Sequence, residues 1–127
     1  MKDCTISITT TIDGETFEIV RKGKCELSLV SALLYYKEEQ AKVAITLQDG
    51  VLEIEREGDY TQALRFENEK TCEGKLGIMG TEGDIYTKTH KLGYALTENS
   101  LLLSLHYDLI IGNELQYTKI RLFVKSV

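Results

Sequence analysis

The chain predicts a single all-β domain, an antiparallel meander closed into a barrel, on three observations. Apolar residues recur at every second position through most of its length, which is the period of a half-buried strand. The dipeptides Asp13-Gly14, Asp49-Gly50 and Gly112-Asn113 interrupt that alternation and suit two-residue hairpin turns. The third is length: 127 residues make one domain, 1–127, large enough to bury a core without disulfides or a structural metal.

Taken in order, the first strand alternates apolar residues at 4, 6, 8 and 12 with hydroxyl-bearing residues at 5, 7, 9 and 11. A two-residue turn at Asp13-Gly14 sets Ile8 opposite Ile19, with Ile6 and Phe17 on the same face, so turn and hydrophobic pattern agree. An extended run at about 24–36 carries Cys25, Leu27 and Leu29 into Tyr35-Tyr36 and ends near Lys37. Over 31–42 a helix competes, because the segment holds good helix formers and Ser31 could cap it. The two tyrosines and the preceding alternation favour strand. Ala41, Val43, Ile45 and Leu47 lead to Asp49-Gly50, which places Leu47 opposite Leu52 and Ile45 opposite Ile54. Further extended runs lie at about 62–67, 72–80 and 83–97, and the turn Glu98-Asn99 opens a strand at about 100–111. Gly112-Asn113 then sets Leu105 across from Ile120 and Leu103 across from Leu122. Roughly ten strands result, and closure removes the edges that so large an open sheet would present.

Composition narrows the function classes. Lys and Arg number 15 against 20 Asp and Glu, a net charge of −5, which argues against a nucleic-acid partner. No run reaches the roughly 18 apolar residues of a membrane span, so no membrane partner is expected. Met1-Lys2-Asp3-Cys4 passes straight into the alternation, and no signal peptide is expected. Cys4, Cys25 and Cys72 are scattered, with no Cys-x-x-Cys pair. They read as small hydrophobes in a reducing cytoplasm, not as a disulfide framework or zinc site.

Catalytic chemistry finds little support. With a two-residue turn at Glu98-Asn99, Leu92 faces Leu105 and Tyr94 faces Leu103. His90 then shares a face with Tyr107, whereas His106 and Asp108 share the other with Thr89 and Lys91. The two histidines point to opposite sides, so no shared metal site is expected. There is no Gly-x-Ser-x-Gly elbow. Gly74, Gly77, Gly80 and Gly83 lack a following Gly-Lys-Ser/Thr and read as bulges and bends, not as an anion nest. Glu53 with Glu55, and Glu67 with Glu69, read as exposed solubilising pairs. No catalytic residue, metal ligand or cofactor is expected, and the protein is read as non-enzymatic.

The order of the pieces resembles a known family. A strand ending Tyr35-Tyr36-Lys-Glu-Glu precedes Val51-Leu-Glu-Ile-Glu-Arg56-Glu-Gly58 and Leu64-Arg-Phe66. Gly83-Asp-Ile-Tyr-Thr-Lys-Thr89-His-Lys-Leu92 and Leu103-Ser-Leu-His-Tyr107-Asp-Leu109-Ile-Ile-Gly112 follow. This succession, clearest over 33–124, is similar to the YwiB-like family of small bacterial proteins, a domain of unknown function. The resemblance implies a calycin-like barrel, of lipocalin and fatty-acid-binding-protein type, in a bacterial cytoplasm, and it implies no reaction. The chain departs from the family pattern at Cys72 and at Thr81-Glu82, where a Tyr and a Thr-Pro pair are common.

A barrel of ten strands is wide enough to hold a ligand, whereas about eight strands can be filled by side chains alone. Tyr35, Tyr94, Tyr107 and Tyr117 are the candidates to line its interior, their hydroxyls orienting a molecule whose body is apolar. The expected function is therefore a binding module for a small, largely apolar ligand. The alternative is a structural or protein-interaction module with a filled barrel, pairing as a homodimer. Thr5, Ser7, Thr9 and Thr11 motivate it: they form an uncharged row that lacks the lysines guarding most strand edges.

Overall fold

Tight turns between two-period segments produce ten consecutive strands in the computed structural model, which describes Met1–Val127. They are β1 (Lys2–Ile12), β2 (Glu15–Leu27), β3 (Ser31–Glu38), β4 (Ala41–Gln48), β5 (Val51–Gly58), β6 (Tyr60–Glu67), β7 (Thr71–Ile78), β8 (Thr81–Leu96), β9 (Ser100–Ile111) and β10 (Glu114–Ser126). Each pairs antiparallel with the next, and β1 also pairs with β10, closing the barrel. Asp13 and Gly14, Asp49 and Gly50, and Met79 and Gly80 all have positive φ, as a type I′ turn requires at both central positions. At the last hairpin only Gly112 does, which suits a type II′ turn. The expected partners hold: Ile8 faces Ile19, Ile45 faces Ile54, Leu47 faces Leu52, Leu103 faces Leu122 and Leu105 faces Ile120.

Three expectations need correction. Residues 24–36 are not one run, because β2 continues to Leu27 and the chain turns before β3. Ser28 makes that turn: its Oγ accepts from the Val30 and Ser31 amides at 3.2 and 3.0 Å, and its own N–H donates to the Ser31 carbonyl at 2.9 Å. Over 31–42 the favoured strand reading holds: the segment is strand, turn and strand, with no helix. The run at 72–80 ends at Ile78, where the Met79-Gly80 turn begins. The first strand is also no edge. Its hydroxyl row lies between β2 and β10, both hydrogen-bonded to it.

The barrel is least regular where β6 meets β7. Their ladder covers only Tyr60↔Ile78 to Ala63↔Lys75. Beyond it the buried Thr87 hydroxyl of β8 donates to the Arg65 carbonyl. The turn after β6 then docks on β8: Glu69 N–H donates to the Thr89 carbonyl at 3.1 Å, and Thr89 N–H to the Lys70 carbonyl at 3.0 Å. The Asn68 side chain imitates a strand residue, its Nδ2 donating to the Leu92 carbonyl at 2.8 Å and its Oδ1 accepting from the Leu92 amide at 2.7 Å. Both backbone groups of a buried residue depend on that one amide. Asn68→Ala is therefore expected to destabilise the protein by about 1–3 kcal/mol. Urea unfolding should show this as a lower midpoint at unchanged slope, and an unchanged midpoint would contradict the role assigned to Asn68.

Candidate functional site

An antiparallel meander gathers the turns after β1, β3, β5, β7 and β9 at one end, here called the mouth. The other turns and both termini lie at the base. The base is filled: Cys4, Cys25, Leu34, Leu47, Phe66, Leu101 and Val124 are all fully buried. Towards the mouth the inward side chains leave a recess of about 230 Å³, lined by 15 residues of which 12 are hydrophobic. Its polar walls are Thr10, Glu38 and Gln62, and its apolar walls include Ile8, Ile54, Leu105, Tyr36 and Tyr107.

The two tyrosines are neutral hydrogen-bonding groups. Burial pushes the Tyr36 hydroxyl up to about 12, helped by the negative Glu38 and opposed by Arg21 and Arg56. Burial also raises Tyr107. The Tyr107 ring meets Phe66 edge-on, with centroids 4.7 Å apart. The hydroxyls of Thr89 and Thr118, on the strands either side of Tyr107, are buried and complete no hydrogen bond within the protein. Arg56 holds the rim. Its Nη2 lies 2.8 Å from Asp59 Oδ1, its Nη1 donates to the Tyr60 carbonyl at 2.8 Å, and its Nε lies 3.7 Å from Glu38 Oε2. The Arg56 side chain holds Asp59 below the usual carboxylate range.

Of the four tyrosines read as interior, only Tyr107 lines the recess. Tyr35 and Tyr117 stand on the outer face, each 43% exposed, and Tyr94 is 42% exposed near the base end of β8. The turn at 28–30 explains Tyr35. The inward residues of β2 are odd-numbered, as at Cys25, whereas those of β3 are Ala32, Leu34 and Tyr36. A run without that turn carries the odd parity on to Tyr35 and hides Tyr36. Tyr117 was readable from the register, since Thr118, Leu122 and Val124 set the inward parity of β10. Tyr94 has the right parity, opposite Leu103, but sits where β8 outruns β7 and no wall covers it.

The histidines also stand differently. Leu92 and Tyr94 pair as expected, but the β8–β9 ladder slips between Lys91 and Thr89, leaving His90 as an extra residue. This bulge turns Thr89 inward opposite Tyr107 and His90 outward, so both histidines lie on the outer face. His90 Nε2 lies 2.7 Å from Asp108 Oδ2, and Lys88 stands opposite Asp108. Burial, with Lys119, Lys91 and His90 nearby, lowers the pKa of His106. Among the carboxylates, Glu67 is half-buried and paired with Lys70 at 3.0 Å, not freely exposed. The glycines divide their work: Gly80 makes a turn, and at Gly74 a Cβ would collide with the Ala63 carbonyl. All three cysteines are free. Burial, with Cys25 beside it, pushes the Cys4 thiol up to about 12, so it is unreactive.

A closed ten-stranded antiparallel barrel of calycin-like type, recessed at one end, is thus the class of protein that fold and site define. The chain belongs to the family described as Domain of unknown function (DUF1934), whose model matches residues 4–122. Its fold is that of the ywiB protein from Bacillus subtilis, whose crystal structure it matches with a TM-score of 0.86 at 20% identity, over 99% of this chain and 92% of that one. No curated protein matches it. The resemblance seen in the order of motifs therefore holds.

The tyrosine environments give a signed pH dependence. An unfolded tyrosine ionises near 10.0, whereas folded Tyr36 does so near 12. Unfolding therefore releases a proton in that window. The stability concerned is fully present below pH 10 and is lost as the pH rises towards 12. Phenolate absorbance should show a share of tyrosines that appears only on unfolding, and Tyr36→Phe should shrink that share; an unchanged share would refute the assignment.

Proposed function

We propose that this protein is a binding module that holds a small, largely apolar molecule in the mouth recess, without catalysing a reaction. The recess carries this reading: 230 Å³, walled by 12 hydrophobic residues, with three polar residues at hand to orient a ligand atom. An engineered cavity of about 150 Å³ admits benzene, so this one suits a single ring or a medium-length chain with one polar group. The neutral Tyr36 and Tyr107 hydroxyls serve as donors and are poor bases. His90 and Asp108, the one histidine–carboxylate pair, lie on the outer wall away from the recess, which supports a non-catalytic role. Free thiols suit a reducing compartment such as the cytoplasm.

Octanol is a suitable probe. A ligand that binds only the folded state raises the thermal midpoint with concentration. Octanol should do so in the wild type, and Ile54→Trp, which fills the recess, should abolish the rise. An equal rise in both proteins would place binding elsewhere and remove the reading.

A second reading, a homodimer, has its own observation. Val20, Ser7, Phe123 and Leu102 stand side by side on the outer face across β2, β1, β10 and β9, and the three large ones are about half exposed. Such a row suits a self-complementary two-fold contact. Sedimentation should then show a dimer that Phe123→Glu dissociates, and a wild-type monomer at tens of micromolar would exclude it.

A further inference from the structure

The outer face of β2, β3 and β4 concentrates positive charge in an acidic protein. The net charge is −5, yet Lys22, Lys24, Lys37 and Lys42 all line one groove of about 380 Å³. The ladders explain how. Lys37 stands directly opposite Lys42. The β2–β3 ladder stops at Gly23↔Tyr36, and one step further along it Lys22 comes level with Lys37. Three ammonium groups therefore share one row across three strands. Like charges directly opposite destabilise a sheet, and an acidic neighbour usually relieves them. Here Asp3 takes Lys24, but no carboxylate lies within ion-pair distance of Lys22, Lys37 or Lys42. Glu57, although opposite Lys42 in the ladder, is no exception.

The depression beside this row is built into the backbone. Gly23 lies in its floor as bare backbone; a Cβ there would point inward, colliding with the Tyr35 carbonyl and crowding Ile6 and Tyr36. Tyr35 borders it with an exposed ring, Val43 lies in its wall, and most of its surface is apolar. A ligand fitting these walls needs an anionic group for the lysines and a flat apolar body for the tyrosine. Compact ammonium charges suit phosphate oxygens, and an exposed aromatic face accepts a ring by stacking. The acidity of the remaining surface favours one small dianion over a long polyanion.

We propose that this groove binds a small phosphate ester carrying an aromatic ring, its phosphate on Lys22, Lys37 and Lys42 and its ring against Tyr35. The site is separate from the mouth recess, although Tyr36 is a wall of both, and it stands or falls without that reading.

Phenyl phosphate titrated into isotope-labelled protein, followed by amide chemical shifts, tests it. The expected result is saturable binding centred on Gly23, Tyr35 and Lys37, about tenfold tighter than inorganic phosphate or benzyl alcohol and weakened by salt. Lys37→Glu with Lys42→Glu, both exposed, should weaken binding by about tenfold or more. Tyr35→Ala should reduce it to the level of inorganic phosphate. Lys22→Gln is the milder variant should the double reversal fail to fold. Shifts scattered over the surface, no advantage over inorganic phosphate, or lysine variants that bind as the wild type does would overturn the proposal.

Discussion

The parity of each strand is the constraint on which this barrel depends. A side chain on a strand faces in or out according to whether its position is odd or even, and two devices fix that choice here. Turns with left-handed residues at Asp13-Gly14, Asp49-Gly50 and Met79-Gly80 leave no freedom in how the flanking strands align. The closing ladder, from Cys4↔Ser126 to Ile12↔Thr118, ties the first strand to the last. A slip of one residue in β1 would turn Cys4, Ile6 and Ile8 outward together. At about 1.5–3 kcal/mol for each large apolar side chain, that is a serious loss against a total stability of about 5–15 kcal/mol.

Parity also separates what the sequence reveals from what it hides. The hairpins around 13, 49 and 112 were readable because a turn dipeptide and an apolar alternation agree at each. Where the turn residues are ordinary, the reading slips. Ser28-Leu29-Val30 contains no glycine, proline or asparagine, and its turn rests on one serine side chain. Without that turn the alternation places Tyr35 inward in place of Tyr36, on the recess side and not beside the lysine groove. The bulge at His90 left no local mark either, since neither neighbour is a glycine. It arises because β8 must satisfy β9 on one side and the docked turn around Asn68 on the other, a relation between segments more than 20 residues apart in the chain.

The two ends of the barrel are specialised differently. The base carries the tightest core, with both termini tied in: Val127 N–H donates to the Asp3 carbonyl at 3.0 Å, and Ser126 N–H to the Asn99 carbonyl at 2.9 Å. At the mouth, half-buried residues such as Ile8, Ile54 and Ile120 surround the recess, and the rim is held by Arg56 with Asp59 and Tyr60. Cohesion at one end leaves the partly buried wall residues at the other, Ile8, Ile54 and Ile120, more open to change than the core residues Leu52, Leu103 and Leu105 that also line the recess.

The extra residue in β8 acts as a phase shifter. Ahead of it the inward positions are Ile85, Thr87 and Thr89, and after it they begin at Leu92, so one uninterrupted strand obeys two opposite rules. The imidazole at position 90 touches no part of the core. Its side chain is free to be replaced, yet the residue itself cannot be deleted, because a chain shortened there would present one half of its longest strand back to front.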